Sequence, residues 1–229
     1  KPYDGEGSRI IGLGKYTGKP SRGTRIRMKN DATCDMHWKG KPPPRTEGLL
    51  VDRKNRTLRN AVVYVSKGYD KSNVPQKKKP FIINQVGCVY TPHVVAVQKG
   101  QSVEIHSVDK TNHNVKFASR KNGEFNTSMR QGVVLEKKFN KVEKGARFDC
   151  SIHPWMSARM CVFEHPYFSV SDVEGKFEIT GLKPGKYELE IWHEHRQTKA
   201  ANKTIVIEVE EGTSHRLDVT MNGPGGGQR

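Results

Sequence analysis

Residues 147–156 read Arg-Phe-Asp-Cys-Ser-Ile-His-Pro-Trp-Met. The first part of this stretch alternates apolar and polar side chains, which is typical of a β-strand. The second part breaks the alternation with a proline and brings together a thiol, an imidazole and a thioether: Cys150, His153 three residues later, and Met156 after three more. The stretch therefore predicts a strand that leads into a short loop rich in soft and borderline metal donors.

Similar alternation recurs along most of the chain, and no stretch of ten residues keeps the apolar spacing of a helix. We therefore predict an all-β protein. The clearest strand candidates are residues 61–65, 93–98, 102–108, 114–119, 133–139, 147–152, 159–165, 175–180, 186–192, 203–209 and 215–221. Residues 14–47 show little alternation and include three consecutive prolines, so we expect long irregular loops near the N-terminus. The Gly-rich tail at 223–229 is expected to be flexible.

A second imidazole, His113, lies about forty residues before the loop, at the end of a predicted strand. Two imidazoles and a thiolate, with a thioether at longer range, are the donors of a blue-copper electron-transfer site. The thiolate suits Cu(I) and the imidazoles tolerate Cu(II), so neither redox state requires new ligands. These side chains therefore point to copper and to one-electron chemistry.

Residues 88–163 resemble the cupredoxins, with a ligand loop similar to that of the amicyanin and plastocyanin type. The resemblance opens at 91–105 with a proline, an alternating strand and a Lys-Gly turn, continues at 112–117 with Asn-His-Asn-Val-Lys-Phe, and closes with the loop at 150–156. It implies a Greek-key β-sandwich that binds one type 1 copper ion.

The same resemblance implies four copper ligands, which are His113, Cys150, His153 and Met156. Asn114 would then tie the two ligand-bearing loops together. The short loop is expected to leave the edge of His153 near the surface, beside Pro154 and Trp155, where electrons would enter.

Other readings of the same residues remain open. Cys34 and His37 repeat the Cys-x-x-His spacing of the loop, so two cysteines and two histidines could form a zinc site. Met160 is a rival axial ligand, although the short loop favours Met156 and makes Met160 a strand residue. A cupredoxin fold that has kept the motif but binds no metal is a further alternative.

The sequence after residue 165 resembles a second family, the carboxypeptidase regulatory-like or prealbumin-like β-sandwich. The residues that carry this resemblance are Asp172, Gly175, Phe177, Ile179, the turn at 181–185, Tyr187 and Leu189. The opening elements of that family match 10–20 and 58–65, much earlier in the chain. We therefore predict that the copper-binding module is inserted between the two halves of this smaller sandwich, 8–70 and 166–222; three consecutive β units are the alternative.

The predicted division of the chain has four parts: a basic N-terminal region at 1–80 that contributes strands to the regulatory-like sandwich, the cupredoxin domain at 81–165, the rest of the regulatory-like sandwich at 166–222, and the tail. Three cysteines lie outside the ligand loop. We favour a disulfide between Cys34 and Cys88, with a Cys88–Cys161 bridge as the competing pairing. Otherwise Cys161 is expected to be a buried free thiol.

The formal net charge is +16, and most of it comes from the first third of the chain. Residues 1–80 hold 20 basic and 7 acidic side chains, whereas 81–229 hold 20 and 17. None of the motifs of nucleic-acid-binding folds is present, so we expect no nucleic acid as partner. The basic region predicts docking of an acidic redox protein such as a cytochrome, or of the subunits of a larger complex. Apolar runs of at most five residues exclude a membrane-spanning helix.

These features together predict an electron carrier and not an enzyme, because no nucleophile motif and no second copper site of three histidines is present. The alternative is a structural or accessory subunit of a larger redox or membrane-associated complex, with copper as a fixed relay or a vestige. Copper, a disulfide and a chain that starts at Lys1 suggest a removed leader and a periplasmic or otherwise extracytoplasmic location.

Overall fold

The computed structural model describes residues 5–28, 30–195, 197–202 and 204–224. Within them, regular structure consists almost entirely of strands, so the prediction of an all-β protein is confirmed. In chain order the elements are β1 (Ser8–Tyr16), α1 (Ala32–Trp38), β2 (Val62–Lys67), β3 (Phe81–Val86), β4 (Val89–Thr91), β5 (Val94–Gln98), β6 (Ser102–Ser107), β7 (His113–Ala118), β8 (Glu124–Met129), β9 (Val134–Lys138), β10 (Glu143–Asp149), β11 (Ser157–Phe163), β12 (Phe168–Val170), β13 (Lys176–Leu182), β14 (Gly185–Trp192), β15 (Lys199–Ala200), β16 (Ile205–Val209), β17 (Ser214–Arg216) and β18 (Val219–Asn222).

The chain forms two compact units, each built from separate segments. The first unit contains the chain up to Gly23, Glu47–Gln76 and the chain from His165 onward; the second contains Thr24–Thr46 and Lys77–Glu164. Most of the predicted tail, from 225 onward, lies outside the described residues. No helix among the described residues is long and apolar enough to cross a membrane.

The first unit has two sheets. One has the strand order β13-β1-β18-β15, with β17 also paired with β1, and the other has the order β12-β2-β14-β16. Strand β2 pairs antiparallel with β14, so residues from before and after the second unit share one sheet. In β13 the alternation places Phe177 and Ile179 in the core while Glu178 faces solvent. The likeness of this unit to regulatory-like sandwiches stays a prediction.

The second unit also has two sheets, ordered β5-β11-β10-β7-β8 and β4-β3-β6-β9. A cluster of phenylalanines fills its core: the ring of Phe117 stacks on Phe125 at 5.1 Å between centroids and lies 4.8 Å from both Phe139 and Phe148. Fully burying each such ring contributes about 1.5–3 kcal/mol. This core supports the ends of β7 and β10, which lead to the predicted metal donors.

The segment 24–46 differs from the irregular N-terminal loop that the sequence predicts. It contains α1, and it belongs to the second unit. The sequence prediction instead groups all of 1–80 with the regulatory-like sandwich. Asp31 caps α1 by accepting the N–H of Cys34, and the predicted Cys34–Cys88 disulfide is confirmed. Cys161 is a buried free thiol in β11, as expected. The disulfide explains the grouping, because it joins this segment covalently to the turn after β3.

Candidate metal centre

The predicted donors converge because β7 and β10 are neighbours in one sheet. Phe117 lies opposite Phe148 in this antiparallel pair, so the first residue of β7, His113, lies close to the end of β10. The strand predicted at 147–152 ends earlier than expected, at Asp149. Cys150 is therefore the first residue of the loop that connects β10 to β11.

Three donor atoms meet in the interior of the second unit. The Nδ1 atoms of His113 and His153 are 2.9 Å apart, and Sγ of Cys150 lies 3.8 Å from Nδ1 of His153. All three donor atoms lie within 4.8 Å of one another, and all three residues are buried. The geometry thus brings together the two imidazoles and the thiol that the sequence selects.

Met156 belongs to the same closed loop. Its backbone N–H donates to the carbonyl of His153 at 2.9 Å, and its own carbonyl accepts the N–H of Cys150 at 3.3 Å. The thioether side chain is buried. Met160 instead lies inside β11, paired with Ala146 on one side and Val95 on the other, which confirms its interpretation as a strand residue.

A carboxylate holds each imidazole from its other side. Nε2 of His113 lies 2.9 Å from Oδ2 of Asp109, and Nε2 of His153 lies 3.0 Å from Oδ2 of Asp31. An ionised carboxylate only accepts hydrogen bonds, so each Nε2 carries a proton, and an imidazole in its neutral form presents the lone pair of Nδ1 toward the other ring. Two lone pairs that face each other at 2.9 Å repel unless a cation or a proton lies between or beside them. This arrangement fits a metal ion bound by both Nδ1 atoms.

The ionisation of the donors agrees with that fit. Burial opposes ionisation of the Cys150 thiol, but hydrogen bonds from His113 and from backbone N–H groups lower its pKa to about 6. Burial likewise opposes a charged His113, but Asp109 and Cys150 raise its pKa to about 9. Without a metal the buried pair is therefore a thiolate beside an imidazolium, whose second proton lies on Nδ1 of His113 and separates the two facing nitrogens; a bound metal ion would take the place of this proton.

Asn114 ties the two ligand-bearing segments together, as the resemblance implies. Its Oδ1 accepts the N–H of Ser151 at 2.6 Å, and its Nδ2 donates to Oγ of Ser151 at 3.2 Å and to Oδ1 of Asn126. Its backbone N–H points at Sγ of Cys150, 3.5 Å away. One side chain thus fixes the first residues of the loop against β7.

The turn at Gly87 and Cys88 is a part of the site that the sequence does not reveal. Its two N–H groups donate to the Asp109 carboxylate at 2.6 and 2.8 Å, which orients that carboxylate toward His113. Both residues have positive φ, and a Cβ at Gly87 would lie 2.8 Å from ring atoms of His37. The Cys88 carbonyl accepts Nε1–H of Trp155 at 3.0 Å.

The expectation that His153 has an edge near the surface is wrong. The side chain is buried, with 2% of its area exposed, although Pro154 beside it is exposed. The cause is the segment before and within α1: the Asp31 carboxylate contacts Nε2, and Sγ of Cys34 lies 3.6 Å from the same atom. Electrons therefore cannot enter through an exposed imidazole.

The alternative of a zinc site with Cys34 and His37 is also wrong. Cys34 is oxidised in its disulfide with Cys88 and has no thiolate to donate. His37 instead packs edge-on against Trp38, with ring centroids 5.2 Å apart. Two further groupings of possible ligand atoms, Cys34–Cys88–His153 and Cys88–Asp109–His113, depend on the same oxidised sulfurs.

Similar solved structures include three copper proteins. A copper-containing nitrite reductase from Thermus scotoductus SA-01 is 21% identical over 43% of this chain and 26% of its own, with a TM-score of 0.36. A purple cupredoxin from Nitrosopumilus maritimus is 20% identical over 36% of this chain and 99% of its own, with a TM-score of 0.32. A variant of amicyanin in the Cu(I) form is 16% identical over 45% of this chain and 99% of its own, with a TM-score of 0.35.

The match thus spans about a quarter of the nitrite reductase chain. No protein-family model matches this sequence. No curated protein matches it either.

Proposed function

We propose that the second unit binds one copper ion through His113, Cys150, His153 and Met156 and exchanges single electrons with a redox partner outside the cytoplasm. The observation that carries the proposal is the pair of Nδ1 atoms 2.9 Å apart beside a buried thiolate, each imidazole being held from behind by a carboxylate. Copper is the metal that a thiolate, two imidazoles and a thioether favour.

A copper ion held by these donors supplies a centre that changes between Cu(I) and Cu(II) without a change of ligands. The protein fixes the donors independently of the metal. Asp109 and Asp31 set the orientation of the two imidazoles, and Asn114 holds the start of the loop. Such support from the surrounding residues keeps the ligands in one arrangement in both redox states.

The site also excludes water. His113 is 0% exposed, Cys150 3% and Met156 1%. Fewer water molecules then have to reorient when the charge of the site changes, and a dry surrounding tunes the reduction potential. A closed set of four donors suits electron transfer, whereas catalytic metal sites keep a position open for substrate. For this reason we propose an electron carrier and not an enzyme.

The proposal is tested by spectroelectrochemistry on the full chain loaded with one equivalent of copper. We expect a reversible one-electron wave and retention of the metal through repeated cycles. Loss of copper from the reduced protein would contradict an electron carrier and would indicate a protein that stores or delivers Cu(I). A sample that takes up copper but shows no reversible wave would contradict the proposal as well.

A further inference from the structure

The segment 24–46, here called the cap, covers the imidazole that would otherwise face a redox partner. Asp31 and Cys34 both contact Nε2 of His153 from inside the cap. The opposite side of α1 faces solvent, where Met36 is 63% exposed. Any partner that approaches His153 from this direction meets the cap first.

The cap carries a groove with a volume of about 410 Å³. One acidic and four basic side chains line it, together with the half-buried Trp38 and Pro44; the acidic residue is Asp35, and the basic ones are Arg25, Arg27, Lys39 and Lys41. All four are exposed, and none forms an ion pair with a residue in the described part of the chain. Four cations against one carboxylate leave the groove with an excess of positive charge beside an aromatic side chain, and such a surface attracts an acidic protein.

A route of one hydrogen bond, covalent bonds and one close contact leads from this groove to the metal donors. Nε1–H of Trp38 donates to the Gly87 carbonyl at 2.7 Å, and the next residue, Cys88, is joined by the disulfide to Cys34. Sγ of Cys34 lies 3.6 Å from Nε2 of His153. Tunnelling decays less steeply along covalent and hydrogen bonds than across gaps, and the single gap in this route is the 3.6 Å contact, so the route would couple the groove to the site without an exposed imidazole.

We propose that the basic groove of the cap docks an acidic redox protein and that electrons are exchanged through the cap rather than through an edge of His153. This inference rests on the proposed function, because it presupposes a redox-active copper. One electron is exchanged between the redox centre of the partner and the copper. No bond is made or broken, and no proton is transferred.

The docking step is tested with a decaglutamate peptide as the probe, by calorimetry on the full chain at low ionic strength. We expect Arg27→Glu/Lys39→Glu to weaken binding at least about tenfold, since close charge pairs govern such encounters. The matched control is Lys78→Glu/Lys138→Glu, which changes the net charge equally. Lys138 pairs with Ser102 at the start of β6, which is the end of that strand farther from Asp109 and the metal donors. Lys78 lies in the same region, because the backbone carbonyl of the next residue, Lys79, accepts a hydrogen bond from the Gln101 side chain.

The control should change the affinity for the peptide less than about twofold. Equal losses in both double variants would overturn the proposal, because net charge alone would then explain the binding. Failure of the peptide to bind would overturn the proposal too. Binding of the protein to vesicles of anionic lipid in preference to the peptide would also overturn it. The peptide measurement does not require copper, so its failure is distinguishable from failure of the proposed function.

The electron route is tested by stopped-flow exchange between the copper-loaded chain and two small probes. With anionic hexacyanoferrate we expect Arg27→Glu/Lys39→Glu to slow the exchange about tenfold, and with cationic hexaammineruthenium to accelerate it. The control pair should leave both rates close to those of the unaltered protein. Unchanged exchange with hexacyanoferrate in the groove variant would place the electron contact elsewhere and overturn the proposed route.

Discussion

Nε2 of His153 lies 3.0 Å from Oδ2 of Asp31, a residue 122 positions earlier in the chain. The carboxylate is itself held by the Cys34 N–H at 3.0 Å and the Thr111 hydroxyl at 2.8 Å. Burial opposes its ionisation, but these hydrogen bonds and the one from His153 lower the pKa of Asp31 to about 2. A fixed anion from the cap therefore sets the orientation of one proposed copper ligand.

Replacing that anion tests its role. Asp31→Asn keeps the size of the side chain but removes the charge that orients His153, so we expect copper affinity to fall about 10- to 100-fold. Competition with a chelator of known affinity measures the change. Glu124→Gln, on the exposed face of β8, is the control and should leave the affinity as it is. Equal affinities of the Asp31→Asn variant and the unaltered protein would contradict the assigned role.

The two buried free thiols provide a matched pair of variants. Cys150→Ser should abolish the visible absorption of the copper-loaded protein, because a hydroxyl does not replace the thiolate donor. Cys161→Ser should keep the colour and lower the free energy of unfolding by about 1–3 kcal/mol, since it buries a hydroxyl in an apolar strand. Colour that survives in the first variant, or disappears only in the second, would contradict the ligand set.

The thioether is tested in the same way. Met156→Leu should raise the reduction potential and change the EPR spectrum, because the axial donor stabilises Cu(II). Met160→Leu should leave both unchanged and cost less than about 1.5 kcal/mol of stability, as volume-conserving core substitutions do. A spectrum altered only by Met160→Leu would assign the axial position to the other methionine.

The disulfide should contribute strongly to stability, because it closes a loop with a sequence separation of 54. Cys34→Ala/Cys88→Ala is expected to lower the free energy of unfolding of the metal-free protein by about 2–5 kcal/mol. Urea unfolding followed by tryptophan fluorescence measures the effect. Mild reduction of the unaltered chain should reproduce it, and a variant as stable as that chain would show that other contacts hold the cap in place.

The ligand loop is predictable from sequence because its chemistry is local. Cys150, His153 and Met156 follow one another at short spacing, and His113 is followed directly by Asn114, the residue that ties it to the loop. The alternation of side chains likewise identifies most long strands. The alternation does not identify strand β8, Glu124–Met129, because its residues are mainly polar and half of them face solvent.

The cap could not be predicted, for physical reasons. Helix α1 has only seven residues, too few to display an amphipathic period, and a helix so short is stabilised by its contacts rather than by its own sequence. Those contacts are the hydrogen bond from the Cys34 N–H to the Asp31 side chain, the disulfide from Cys34 to Cys88 and the hydrogen bond from Trp38 to Gly87. The first belongs to no recognisable motif, and the other two join residues that are distant in sequence. The burial of His153 follows from them, so the expectation of an exposed imidazole was wrong.

One copper ion bound by the buried thiolate and the two imidazoles would give the oxidised protein a characteristic spectrum. The most direct measurement is the visible absorption and EPR spectrum of the oxidised full chain loaded with one equivalent of copper. We predict an intense blue or green colour from the thiolate bond, with the small copper hyperfine splitting of a type 1 site, and bleaching on reduction. A colourless protein with one bound Cu(II), or a chain that binds no copper, would contradict this prediction.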